Sequence, residues 1–219
     1  MNIKLRLETP DDHYAVEMLT RDAFWGMDYP ECDEHYLVHL LRNTPAFIPE
    51  LNYVAELDGK IAGHIIYSKS RVIDADKTEH EILTFGPISV LPEYQKLGIG
   101  SKLIRYTIEK ARELGYRGII IYGHPEYYPR FGFQNAKVFD ITTPEGGNFD
   151  YFMACPLYDG AFDGISGALH IDEAYKLCGT DKEGLECFNE KFPYKEPAGR
   201  CPAGQSGGIA PEPSVLTKE

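Results

Sequence analysis

Hydrophobic positions along this chain of 219 residues recur with two periods, and the changes from one to the other lay out the elements in order. Ile3, Leu5 and Leu7 alternate with polar neighbours, which predicts a half-buried strand. Val16, Leu19 and Ala23 fall on one helical stripe behind Asp11 and Asp12, either of which can cap it. Leu37, Leu40 and Leu41 form a second stripe, opened by Asp33 and closed before Pro45, and an aromatic loop over 24–31 joins the two helices. Residues 52–57 and 60–73 read as strands around Asp58-Gly59, the dipeptide of a type I′ hairpin. A polar turn over 74–79 leads to a strand over 81–91 that contains Gly86-Pro87. Proline cannot donate to a ladder, so inside a strand it marks an edge or a bulge.

The pattern then turns helical over 101–114, with Leu103, Ile104, Ile108, Ala111 and Leu114 on one face and Gly115 placed as C-cap. An apolar strand over 118–122, a helical turn over 126–130 and strands from 133, over 138–141 and over 149–155 follow. Residues 171–177 and 181–192 read as helices. The last 23 residues, 197–219, hold four prolines and four glycines and predict a flexible tail. Hairpin-length connections among the strands give an α/β (α+β) class: a mixed, mostly antiparallel sheet with a bulged central strand, flanked by helices.

The chemistry gathers at the turn between the strand ending near Leu91 and the helix opening near Ser101. A helix N-terminus leaves backbone N–H groups without partners and carries partial positive charge, which suits phosphate. Gly98 and Gly100 let a ligand approach the backbone where a Cβ would stand. The run Gln95-Lys96-Leu97-Gly98-Ile99-Gly100 has neither the three glycines of a dinucleotide fingerprint nor the terminal Gly-Lys-Ser/Thr of a P-loop.

It does resemble Q/R-x-x-G-x-G/A, the pyrophosphate motif of the GNAT superfamily of acyl-CoA-dependent N-acetyltransferases. The run Tyr128-Pro129-Arg130-Phe131-Gly132-Phe133 resembles that family's Y-x-x-x-G-F element. The blocks LGIGSKLI, YYPRFGF and FMACPLYDGAFDGISG further resemble a bacterial subgroup called YhbS-like, over residues 1 to about 170. The resemblance implies a GNAT fold over 1–160, followed by a helical extension over 161–196 and the tail. It implies acetyl-CoA as co-substrate, no metal, and an amine of a small molecule or a protein as acceptor, with a homodimer left open. By the family pattern, the strand bulge opens a V-shaped cleft in which Ile88, Ser89 and Val90 pair with the pantetheine arm. Gln95, Lys96, Leu97, Gly98, Ile99, Gly100 and Ser101 hold the pyrophosphate, and Tyr128 protonates the departing thiolate. The first two helices and the loop between them lie over the acceptor site.

Composition narrows the partners. A net charge of −12 argues against a general binder of nucleic acid or anionic membrane and fits a cationic amine. The N-terminal residues alternate as a strand does and lack the apolar core of a secretion signal, and no window approaches the length of a membrane span. Five scattered cysteines with no CxxC pair read as reduced thiols of a cytoplasmic protein.

Acetyl transfer needs a proton donor for the sulfur and an acceptor for the amine proton. Tyr128 is the donor candidate, with Tyr127 its neighbouring alternative. Some family members carry a glutamate where this chain has Thr84, so the base stays open among Glu81, His80, His64, by alternation a candidate to face the cleft, His124 and a water relay. Cys32-Asp33-Glu34-His35 has no zinc spacing and reads as a helix start, with Glu34 or His35 as polar groups of the acceptor site. Cys155 reads as strand filling. Without the glutamate, an acyl-CoA-binding regulatory module with little transfer activity remains the alternative to an enzyme.

Overall fold

The structure, a computed structural model, describes residues 2–27 and 31–198. In chain order the elements are β1 (Ile3–Leu7), α1 (His13–Phe24), α2 (Glu34–Leu41), β2 (Tyr53–Leu57), β3 (Lys60–Ile73), β4 (Glu79–Val90), α3 (Ile99–Glu113), β5 (Gly118–Tyr122), β6 (Gln134–Asn135), β7 (Ile141–Thr142), β8 (Phe152–Pro156), β9 (Gly167–His170), α4 (Ala174–Thr180) and α5 (Lys182–Asn189). The strands form one sheet in the order β1-β2-β3-β4-β5-β8-β6, with β9 beside the end of β3 and β7 beside β9. Pairing is antiparallel except between β4 and β5 and between β7 and β9, so the sheet is mixed and mostly antiparallel as expected.

Two local features set the shape. Asp58 and Gly59 both take positive φ, at 51° and 82°, which closes the β2–β3 hairpin as type I′. On β4 the register against β3 jumps from Phe85 opposite Tyr67 to Ile88 opposite Ile65. Two β4 residues, Gly86 and Pro87, therefore face one on β3, and this is the bulge that the proline predicts.

The sheet is apolar on both faces, with alternate residues going to opposite sides. Tyr53, Ile65, Tyr67, Leu83, Phe85, Ile119 and Ile121 pack with Ile99, Leu103, Ile104 and Ile108 of α3. On the other face Val54 and Ile66 pack with Val16, Tyr36, Leu37 and Leu41 of α1 and α2. Gly63 permits the close approach of α3 to β3, since a Cβ there would stand 2.8 Å from Ile99 Cγ2.

Some sequence expectations change. Asp12 does cap the chain ahead of α1, but from inside a 3-10 turn over Pro10–Asp12: its carboxylate accepts the N–H of Thr9 at 2.8 Å and two hydrogen bonds from Arg6. Asp33 precedes α2 without making a capping hydrogen bond. Residues 138–139 lie in a 3-10 turn over Ala136–Phe139, not a strand, because Asn135 accepts the N–H of Lys137 and closes the chain into a turn.

The residues expected as an extension, 161–196, join the rest of the molecule closely. Residues of β9 pair with β3, and Phe188 and Phe192 enter the core of α1 and α2. Phe192 stacks on Tyr14 at 5.4 Å, Arg21 donates to Pro193 O, and the Trp25 indole donates to Glu196 O. The expected flexible tail lies outside the described residues from 199 onward.

Two fully buried histidines make this core acid-sensitive. His35 lies among Phe188 and Phe192 with Nε2 2.8 Å from Asn189 Oδ1, and burial lowers its pKa from 6.5 to about 4. His64, 2.7 Å from Asn52 Oδ1, is held well below 6.5 by burial, then by Arg42. The unfolded chain therefore binds more protons below pH 6.5, and stability is lost as pH falls from there toward the folded-state values. His35 alone should cost about 2 kcal/mol by pH 5. Urea unfolding at pH 7 and pH 5 checks this, and equal midpoints would contradict the neutral, buried assignment.

Candidate active site

β4 and β5 pair at one position, Leu83 opposite Ile119. Beyond it β4 runs on to Val90 with no further pair to β5, and the first turn of α3 stands at the end of this gap, where Gly100 lies near Ile88 and Val90. The backbone of β4 decides which groups look into it. The N–H of Leu91 pairs with Ala62 O on the β3 side at 3.0 Å. Successive residues of a strand present their N–H and C=O groups to alternate edges, so those of Val90 and Ile88 turn to the open edge. Ser89 does not join them. Its backbone turns toward β3, and its buried hydroxyl donates to Thr20 Oγ1 of α1 at 3.1 Å.

The turn after β4 has the strand–turn–helix geometry expected of it. A 3-10 turn over Pro92–Tyr94 is followed by Lys96 at φ 62° and Gly98 at φ 83°. Gly98 is the N-cap of α3, and the first helical hydrogen bond runs from the N–H of Lys102 to its carbonyl at 3.0 Å. The N–H groups of Ile99, Gly100 and Ser101 thus have no partner within the helix. Lys96 and Leu97 are exposed beside them, while the Ile99 side chain is buried in the core and leaves only its N–H to the site. Gln95 folds back, with Nε2 donating to Val90 O at 3.2 Å, and so ties the turn to the open edge. A Cβ on Gly100 would stand 3.7 Å from the Tyr127 hydroxyl and from Val90 Cγ2 and 3.9 Å from Ile88 Cδ1, so this glycine keeps clear the space where turn and strand edge meet.

The two tyrosines differ sharply. A 3-10 turn over Tyr128–Phe131, ended by Gly132 at φ 95°, follows β5. The Tyr127 hydroxyl lies 3.1 Å from Ser101 Oγ, and the Arg130 guanidinium sits over its ring at 4.7 Å. It belongs to the anion turn. The Tyr128 ring is 1% exposed, packed among Phe85, Phe131 and Phe133, and a Cβ on Gly123 would meet it at 2.6 Å. Burial, then the neighbouring Tyr127 and Tyr67, push its phenol well above the ordinary pKa of 10.

The base candidates separate as well. Thr84 is buried and accepts from Ser70 Oγ at 2.8 Å. Glu81 is exposed and paired with Lys69 at 3.1 Å, and His80 lies 2.8 Å from Asp74. His64 pairs across the hairpin with Val54, on the face of α1 and α2, with Asn52 at its Nε2 and the Glu8 carboxylate 3.8 Å away. His124 is exposed on the loop after β5. His35, once a candidate for the acceptor site, is packed under α5. Its Nδ1 is 3.6 Å from Cys32 Sγ, and with Asn189 the three form a Cys-His-Asn chain. Burial raises the Cys32 thiol and lowers the histidine, which leaves no thiolate nucleophile there. Among the described residues no three His, Cys, Asp or Glu side chains are placed to share a metal ion, and no helix is long and apolar enough to cross a membrane.

A bulged strand with an open edge, running through a glycine turn into a helix N-terminus, leads directly to a family. The profile of the Acetyltransferase (GNAT) family matches residues 15–133, from α1 through the turn that carries Tyr128. The chain belongs to the GNAT family. Membership places it among the acetyl-CoA-dependent acyltransferases. A relative from Escherichia coli K12, the uncharacterized N-acetyltransferase YjhQ, is 39% identical over 99 residues, which are 45% of this chain and 54% of YjhQ. The uncharacterized N-acetyltransferase YhbS of the same organism is 26% identical over 78% of this chain and 97% of its own length. The crystal structure of Escherichia coli YhbS in complex with CoA aligns with a TM-score of 0.71 at 25% identity, over 80% of this chain and 93% of that one. A GNAT acetyltransferase from Brucella melitensis in complex with acetyl-CoA aligns with a TM-score of 0.64 at 31% identity, over 80% and 98%.

Proposed function

We propose that the chain moves an acetyl group from acetyl-CoA directly to a primary amine of a small molecule or a protein. Three features support this reading: the open edge of Ile88 and Val90, the N–H groups of Ile99, Gly100 and Ser101 without a partner in the helix, and Tyr128, whose ring packs on Phe85 of β4. The helix N-terminus, with Lys96 beside it, receives the pyrophosphate. The β4 edge takes the pantetheine arm as an added strand, and the space kept open by Gly100 lies between them.

The chemistry then follows from the side chains. As the C–S bond breaks, Tyr128 gives its hydroxyl proton to the sulfur. Its raised pKa keeps that proton in place at neutral pH, which suits a donor and excludes a base. The amine proton leaves through His124 or a water chain, since Thr84 cannot take it and His64 faces away. Direct transfer is favoured over an acyl-cysteine: Cys155 is buried and its thiol is pushed up to about 11. Residues 1–160 supply these parts, and 161–196 support them as an extension. The free thiols of Cys32, Cys155, Cys178 and Cys187 suit a cytoplasmic protein.

Thr84 at the position of a strand carboxylate favours the second reading, an acyl-CoA-binding module. Thiol release from acetyl-CoA across a panel of polyamines, amino acids and peptide N-termini separates the two. Release that depends on an amine, with the acetylated product seen by mass spectrometry, is the result expected. Tight acetyl-CoA binding with no amine-dependent release would favour the module.

A further inference from the structure

The Gly86 carbonyl lies inside the bulge, at the point where the register of β4 against β3 skips. Its partner comes from the far end of the chain: the Tyr175 hydroxyl of α4, at 3.2 Å. A carbonyl only accepts, so Tyr175 donates here. The other contact of the same hydroxyl, 3.2 Å to Ser68 Oγ, then runs the opposite way, with Ser68 donating. Ser68 is fully buried on β3, opposite Thr84. Burial raises the Tyr175 phenol, so it keeps its proton for Gly86. A fixed chain of two hydrogen bonds thus links the body of the sheet to the bulge through the C-terminal part of the molecule.

Gly86-Pro87 and the pairs with β3 on either side place the bulge, but they leave the aim of the Gly86 carbonyl to be set. Gly86 takes φ 151°, a conformation that L side chains rarely adopt, and nothing lies within 4 Å of where its Cβ would be. Glycine has more conformations open to it than any other residue, so a hydrogen bond from outside narrows what Pro87 and the flanking pairs leave open. Its direction sets the direction of the next residues, Ile88 and Val90. We propose that Tyr175 is a positioning residue for acetyl transfer: by holding the Gly86 carbonyl it fixes the bulge, and with it the strand edge on which the thioester is aligned. This rests on the reading of the cleft as the acetyl-CoA site. Small misplacements at a reacting centre are costly, on the order of 10²-fold for about 1 Å.

Tyr175→Phe tests it, with two readouts in the full chain. One is kcat with an accepted amine. The other is the infrared thioester carbonyl band of bound acetyl-CoA, which needs no acceptor. The variant should fold as the wild type by circular dichroism and bind acetyl-CoA within about threefold. Its kcat should fall by about 10-fold or more, with the carbonyl band broadened toward that of free acetyl-CoA. A residue that only fills space would leave both readouts unchanged, and that result overturns the inference. Ser68→Ala removes the donor behind Tyr175 and should give a smaller loss in the same direction. If Tyr175→Phe does not fold, Ser68→Ala decides alone, and wild-type kcat and band in that variant overturn the inference. A wild type that does not bind acetyl-CoA would instead remove the cleft reading, and this inference with it.

Discussion

Tyr128→Phe should bind acetyl-CoA as the wild type does and transfer its acetyl group about 10²–10⁴-fold more slowly, the range for loss of a general acid. The substitution removes one hydroxyl from a ring that packs against Phe85, Phe131 and Phe133, so the fold around it keeps its shape. A loss in kcat with KM nearly constant marks an interaction made in the transition state. Tyr128→Ala is the wrong experiment, because emptying that site costs about 3–5 kcal/mol of stability in its own right. The informative partner is Tyr127→Phe. Its hydroxyl lies on Ser101 and beside Gly100, at the anion turn. Losing it should raise KM for acetyl-CoA a few-fold, the worth of one hydrogen bond, and leave kcat near the wild type. Full kcat in Tyr128→Phe, with the loss appearing in Tyr127→Phe, would move the proton donor one residue back.

Gly100→Val should weaken CoA binding by more than about 10-fold while leaving the melting temperature close to that of the wild type. Gly100 lies in the first turn of α3, does not take positive φ, and has room for a Cβ at ordinary contact distance from Val90, Ile88 and Tyr127. The fold therefore tolerates the side chain. What it does not leave is the space in front of the N–H groups of Ile99 to Ser101. Gly98 is the poorer probe, since at φ 83° any side chain also strains the backbone, by about 1–2 kcal/mol. Calorimetry that gives Gly100→Val the wild-type affinity would contradict the placement of the phosphates.

Much of this architecture was legible because it is locally encoded. Asp58-Gly59, Gly86-Pro87 and the run from Gln95 to Ser101 each dictate backbone geometry within a few residues, and the hairpin, the bulge and the glycine turn into α3 stand where they were expected. The strand period also shows that His64 lies on the face opposite Ile65, but not which face meets which helices. The histidine belongs to the α1 and α2 side, with Asn52 and Glu8, which only the three-dimensional packing reveals. Ser89 differs from Ile88 and Val90 for the same reason of alternation. The least legible part was the chain after residue 160. His35 meets Asn189, and Gly86 meets Tyr175, across separations of 154 and 89 residues that no short pattern records. The tyrosine pair was legible as a pair. Which hydroxyl reaches the anion turn and which is buried depends on how the 3-10 turn over Tyr128–Phe131 lies against α3 and β4.

The central claim is that acetyl-CoA occupies the cleft between β4 and β5 and rests on the N-terminus of α3. Backbone hydrogen exchange with and without CoA measures this directly, because the amides concerned have no partner within the helix and should exchange fast in the free protein. CoA is predicted to slow exchange at Ile88 and Val90 and at Gly98 through Ser101. Unchanged rates there, or protection appearing instead in the groove lined by Val138, Asp140, Tyr158 and Asp163, would contradict it.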